Sequence, residues 1–187
     1  MQRTILLPVV VAILGGSLLM LNMGVQAMPP DKPSTGQKQP ENVKNYPATT
    51  EDEARGRARL LHETLHATLQ FVHDEYYRPD ERLTLPAATL ERVFRELAAR
   101  QNVKLRWLAV NAQAMNVNHA PQDEFEKNSV TALTAGQDEF ERVEHATYRY
   151  TGAITLSSAC LKCHLPGRTS NKDRVAALVI SIPLSAK

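Results

Sequence analysis

The sequence predicts an α+β fold, because apolar residues recur at helical spacing in some segments and alternate in others. Helical spacing is clearest over residues 51–77, and alternation over residues 103–110 and 147–156. A third observation is the C-x-x-C-H run at Cys160–His164, which closely follows the second alternating segment. We therefore expect helices first, strands later, and a motif with its own chemistry near the end of the chain.

The first 27 residues have the pattern of a secretory signal peptide. Arg3 supplies a positive charge, Ile5–Leu21 is largely apolar, and Val25–Ala27 has the small-x-small form of a cleavage site. An uncleaved anchor is the alternative, because the apolar stretch is almost long enough to span a bilayer. We expect a periplasmic protein, with tethering to the inner membrane as the alternative.

Residues 28–50 predict a flexible linker, since they are rich in Pro, Lys, Asn, Gln and Thr and show no apolar period. Residues 51–187 then form a single domain. The 187-residue chain has 22 Lys and Arg against 20 Asp and Glu, a formal net charge of +2. This balance argues against a nucleic-acid partner, which would require a strongly basic face.

Three helices are expected in the domain. The first covers residues 51–77, with Thr50 as its cap and acidic residues in its first turn. The second opens near Pro86 and continues to about residue 100. The third covers residues 121–135 and stops at a glycine.

Four strands are expected around these helices. They cover residues 103–110, 140–145, 147–156 and 175–182, and the last is apolar and β-branched enough to be central. Alternation places one set of side chains of the third strand on a shared face, with Arg149 on the other: Tyr148, Tyr150, Ile154 and Leu156.

The C-x-x-C-H run is the attachment signature of a c-type haem. Cys160 and Cys163 would each form a thioether to a haem vinyl group, and His164 would be the proximal iron ligand. A redox dithiol and a zinc site are the alternatives. The chain holds two cysteines, both in this motif, so zinc would lack its usual four ligands and no structural disulfide is expected.

Three histidines of the first helix are candidates for the second, distal iron ligand. His62, His66 and His73 lie within about 40° of one another at the edge of the apolar arc of this helix. The alternative is a solvated edge with exposed histidines, and a zinc site on His62 and His66 is a weaker option. Met115 and His119 are possible ligands by residue type alone.

The order of elements resembles that of the periplasmic PAS-like c-type haem domains. The similar segments follow one another in the family's order: Asn118–Pro121 with Phe125-Glu126, Tyr148–Ile154, Cys160–His164 and Leu178–Leu184. The resemblance implies a PAS-like antiparallel sheet flanked by helices, with one covalently bound haem. It extends over about residues 51–183.

The resemblance also bears on the distal ligand. Some members of this group use a cysteine from the region of the second helix, but here Pro86 occupies that position and the chain has no third cysteine. We therefore rank His73 and His66 above His62. His73 is nearest in sequence to the vacated position, and His66 lies between the other two on the helix.

Three function classes follow from a covalent haem. The first is a monohaem cytochrome that transfers single electrons to a redox partner protein. The second is a haem-based redox or gas sensor that acts through a partner. The third is a peroxidase-like enzyme, with His119 beside Arg106 or Arg149 as distal groups, which only fold analogy supports. We favour electron transfer and expect no enzymatic activity.

Three arginines are candidate partners of the haem propionates. They are Arg149, Arg168 and Arg174. A buried propionate requires a charge-matched donor, which a guanidinium provides. The alternative for Arg168 and Arg174 is that they are solvated loop residues.

Overall fold

The structure is a computed structural model, and it describes residues 47–48, 50–78, 81, 83–112, 116–157, 160–161, 167, 169, 172 and 174–185. The elements in this part of the chain are α1 (Glu51–Tyr76), α2 (Pro86–Gln101), β1 (Lys104–Ala109), a 3₁₀ turn (Val117–His119), α3 (Glu124–Thr134), β2 (Glu139–Glu144), β3 (Thr147–Leu156) and β4 (Arg174–Pro183). None of the helices described is both long enough and apolar enough to cross a membrane.

The four strands form one sheet in the order β1-β4-β3-β2, and each neighbouring pair is antiparallel. β4 pairs with both β1 and β3, so it is a central strand, as its apolar composition predicted. The predicted α+β class with an antiparallel sheet is therefore confirmed.

The sheet separates two apolar layers. One face packs against α1 and α2 through side chains that alternate along the strands, and the buried strand residues of this face are Trp107, Tyr148, Tyr150, Ile154, Leu178, Ile180 and Ile182. The other face packs against α3. In this layer the buried strand residues are Leu108, Ala177 and Val179, and the buried helix residues are Phe125 and Leu133. The shared face predicted for β3 is thus confirmed, and it faces α1.

Capping side chains determine where two of the helices begin. The Thr50 hydroxyl accepts the backbone N–H of Glu53 at 3.1 Å, as expected. α3 begins at Glu124 rather than at Pro121, because Asp123 accepts the N–H of Glu126 at 2.9 Å and so caps the helix. The prediction that Pro121 opens this helix was wrong.

α1 is attached to the sheet by polar contacts that the sequence analysis missed. Two arginines one helical turn apart each pair with a glutamate of β2, and each glutamate also accepts a hydrogen bond from a tyrosine hydroxyl of β3. Arg55 pairs with Glu141, which accepts from Tyr148. Arg59 pairs with Glu139, which accepts from Tyr150. The Nε atoms of Arg55 and Arg59 lie 2.8 and 3.1 Å from their carboxylates. We call these six residues the Arg–Glu–Tyr network.

The network fixes how α1 lies along β3. Four residues of an α-helix advance about 6 Å, and two residues of a strand advance about 6.6 Å, so both arginines meet their partners without strain. Because Arg55 is beside Tyr148 and Arg59 beside Tyr150, the two elements run in the same direction. The last turns of α1 therefore lie toward the end of β3 that leads to Cys160.

His62 packs directly on the backbone of β3. Its side chain is 4% exposed and lies over Gly152, where an added Cβ would overlap Cδ2 and Nε2 of the ring and lie 2.8 Å from Cε1. A glycine is therefore required opposite His62 for α1 to approach the sheet this closely.

Gly152→Ala should destabilise the fold by about 1–3 kcal/mol, because the methyl group would displace the His62 ring. Urea unfolding of the variant and the parent chain measures this difference. Gly56→Ala is the matched control, since nothing lies within 4 Å of that Cβ position and the change should stabilise α1 by up to about 1 kcal/mol. If His62→Ala does not remove the cost of Gly152→Ala, the contact is not its cause.

Candidate functional site

The C-x-x-C-H motif begins shortly after β3 ends at Leu156. The N–H of Leu161 donates to the carbonyl of Ser157 at 3.0 Å, which forms a single helical turn at the start of the motif. Cys160 lies on this turn, half-buried, with its Sγ 3.4 Å from the Ser157 hydroxyl. Cys163 and His164 lie outside the described residues, so their assigned roles stay predictions.

The direction of α1 sets the level of each candidate histidine along the sheet. His62 is level with Gly152, and His73 follows 11 residues later, or about 16 Å along the helix. β3 advances about 13 Å from Gly152 to Leu156. His73 is therefore level with the segment that leads from Leu156 into the motif, whereas His66 is level with the interior of β3.

His73 is the candidate histidine nearest the C-terminal end of α1. The side chain is half-buried, its ring centroid lies 5.1 Å from that of Tyr77, and Nδ1 lies 3.8 Å from the Asp74 carboxylate. The described part of the chain provides no hydrogen bond to Nε2. A ring nitrogen of histidine is a common iron ligand.

His66 is partly engaged by its own helix. Its Nε2 lies 3.0 Å from the side-chain amide nitrogen of Gln70, and its ring centroid lies 5.6 Å from that of His62. Burial lowers the pKa of His66, and the nearby His62 lowers it further. The ring is thus kept neutral, as a ligand requires, but Nε2 would have to leave Gln70 to bind iron.

His62 points into the sheet. Its Nε2 is buried against Gly152 and has no hydrogen-bond partner among the residues that the structure describes. Among the residues that the structure describes, no group of three or more His, Cys, Asp or Glu side chains could hold a metal ion. The zinc alternative on His62 and His66 therefore gains no third ligand from them.

An apolar cleft of about 220 Å³ lies between the last turns of α1 and the start of α2. It is lined by Thr68, Val72, Tyr76, Tyr77, Leu83, Thr84, Pro86, Thr89 and Leu90. The lining includes Pro86, the position at which the resemblance placed a distal ligand, and Tyr77, whose ring contacts His73. The cleft and His73 are therefore neighbours at one end of α1.

Arg174 carries an unsatisfied buried donor at the same end of the sheet. It opens β4, pairs with Leu156, and shares its strand face with Leu178 and Ile180, which pack against the α1 and α2 layer. Its Nε is buried, and no described residue forms a hydrogen bond with it. Because a buried N–H without an acceptor is costly, this position fits an anionic partner.

Arg149 is not available as a propionate partner, contrary to the prediction. It lies on the α3 face of the sheet, where it pairs with Asp123 at 2.8 Å and Glu144 at 3.4 Å. Its guanidinium also lies 4.2 Å from the centroid of the Phe125 ring. Arg168 lies outside the described residues.

The residues proposed for a peroxidase-like site are also engaged elsewhere. Arg106 donates to Glu126, which is 2% exposed, and to the carbonyl of Ala120 at 3.1 Å. His119 Nε2 lies 3.1 Å from the Glu91 carboxylate. Arg106 and His119 line one cleft of about 470 Å³, but within it each is paired with a carboxylate, Glu126 for Arg106 and Glu91 for His119.

The fold and the position of the motif define a class: an α+β domain with a four-stranded antiparallel sheet, as expected for the PAS-like group that the sequence resembles. The model of the Tll0287-like family matches residues 46–179, and the chain belongs to this family. The predicted family is thereby confirmed.

The fold is also similar to a solved structure, that of the cyanobacterial haem protein Tll0287. The two chains share 18% sequence identity with a TM-score of 0.54, over 75% of this chain and 99% of the other. At this identity the likeness concerns the fold. No curated protein matches the chain.

Proposed function

We propose that the protein is an exported monohaem c-type cytochrome that transfers single electrons to a partner protein in the periplasm. Cys160 and Cys163 would bind the haem covalently, and His164 would be the proximal ligand. The observation that carries the proposal is the C-x-x-C-H motif at the end of β3, in a chain whose family includes a haem protein.

The residues around the motif support a haem at this end of the sheet. Arg174 offers a buried N–H without an acceptor, which a propionate would satisfy. His73 lies beyond the end of β3, with no hydrogen bond to Nε2 from the described residues, and the apolar cleft beside Tyr77 and Pro86 would accept a hydrophobic ring edge. These three features lie on the side of the sheet that faces α1.

In this proposal His164 and His73 would be the two protein ligands of the haem iron, and the chain would bind no substrate. The haem, when bound, supplies a one-electron iron couple. The side chains around the site would hold the haem and limit the access of water to it. We propose no enzymatic reaction.

A sensor is the second candidate, and the cleft favours it. A space of about 220 Å³ next to the proposed distal position would admit a diatomic gas if the distal ligand were weak. The same spectra that test the first proposal separate the two.

Absorption spectra of the purified protein test the proposal directly. We expect a covalent haem that survives denaturation, a low-spin spectrum when oxidised and reduced, and no change of the reduced form under carbon monoxide. Cys160→Ala should leave one thioether, which shifts the reduced band of the alkaline pyridine complex. A reduced form that binds carbon monoxide at once would favour the sensor, and an absence of covalent haem after correct maturation would refute both.

His73→Ala should remove the distal ligand. The reduced variant should become high-spin and bind carbon monoxide almost completely, whereas the parent should bind essentially none. His66→Ala is the matched control and should keep the low-spin spectrum, because Nε2 of His66 is engaged by Gln70. The opposite pattern would assign the distal position to His66.

Arg174→Gln should lower the reduction potential by on the order of 50 mV, because a propionate would lose its positive partner. A unit charge about 10 Å from the iron has an effect of this size at an effective dielectric constant of about 20. Potentiometric titration measures the shift. Arg142→Gln, at an exposed arginine of β2, is the control and should leave the potential unchanged. Equal potentials for the Arg174 variant and the parent would exclude this role.

A further inference from the structure

α1 has an apolar stripe on the side that faces away from the sheet. Leu60 and Phe71 are 71% and 69% exposed, and Thr64 and Ala67 lie between them at a spacing of four, three and four residues. These four residues fall within about 60° of one another around the helix. The stripe, here called the outer seam, lies about 150° from the histidine stripe.

We propose that the outer seam pairs with the same seam of a second copy of this chain, with the two α1 helices antiparallel. A two-fold axis beside the middle of the seam places Leu60 opposite Phe71 of the other copy, and Thr64 opposite Ala67. Large side chains thus meet at both ends and small ones at the centre, where the two helices can approach closely.

The charges that flank the seam favour a second copy as the occupant. The same two-fold axis places Arg57 opposite Asp74 of the other copy. Both symmetry-related contacts therefore join opposite charges, whereas a parallel pairing would place Arg57 and Asp74 each opposite its own copy. Glu53 and Arg57 also pair within α1, so the dimer would extend this pair into a larger network.

The expected dimer is weak, and its apolar contacts at Leu60 and Phe71 lie apart from the proposed haem site. A contact along four or five turns of one helix buries less area than a standard stable interface, so association should require a high protein concentration. His73 and Arg174 lie on the other side of α1 or on the sheet, away from the seam. Phe71→Ser should therefore leave the absorption spectrum unaltered.

Sedimentation equilibrium of the haem-loaded protein over a wide concentration range tests the proposal. We expect a monomer–dimer equilibrium, with Phe71→Ser raising the dissociation constant at least tenfold. Val117→Ser is the matched control, because Val117 is 86% exposed but lies in the 3₁₀ turn, far along the chain from the seam. A monomer at every concentration, or equal dissociation constants for Phe71→Ser and the parent, would overturn the proposal.

A charge exchange tests the antiparallel register. Arg57→Glu should weaken the dimer because the introduced carboxylate would then face Asp74 of the other copy, and Arg57→Glu with Asp74→Arg should restore it. Circular dichroism checks that each variant keeps its helix content. Failure of the double variant to recover the parent's dissociation constant would refute the antiparallel register, whatever the haem spectra show.

Discussion

The position of α1 depends on the Arg–Glu–Tyr network. Two ion pairs at partly exposed positions contribute little stability individually, typically about 1 kcal/mol or less. Their importance is geometric, because the helical and strand repeats coincide over this distance and a shift of α1 by one turn would leave one of the two arginines without a glutamate partner. The network therefore determines which α1 residues are level with the end of β3 and which lie against its middle.

The close contact of His62 with Gly152 acts together with this network. Helix and strand can approach only where the strand has no side chain, so the glycine provides a single place for the ring. As a result, similar residues of one helix face have different roles. His62 is a packing residue, whereas His73, three turns further along, projects beyond the packed region next to the motif segment.

The elements of the fold were largely predictable because their signals are local. Alternation predicted the strands and assigned Tyr148 and Arg149 to opposite faces, and the structure agrees. The site was less predictable, because it depends on which sheet face the motif approaches. Arg149 was therefore assigned to the wrong partner. A signal for the α1 contacts did exist in the paired spacing of Arg55 and Arg59 with Glu139 and Glu141.

The glutamates of the Arg–Glu–Tyr network have a second consequence, because β2 lies at the edge of the sheet. An edge strand exposes unpaired backbone groups to which another chain can add, and charged side chains make such addition unfavourable. Four of the six residues of β2 are charged: Glu139, Glu141, Arg142 and Glu144. The contacts that position α1 thereby also protect this edge of the sheet from aggregation by strand addition, even in a concentrated solution.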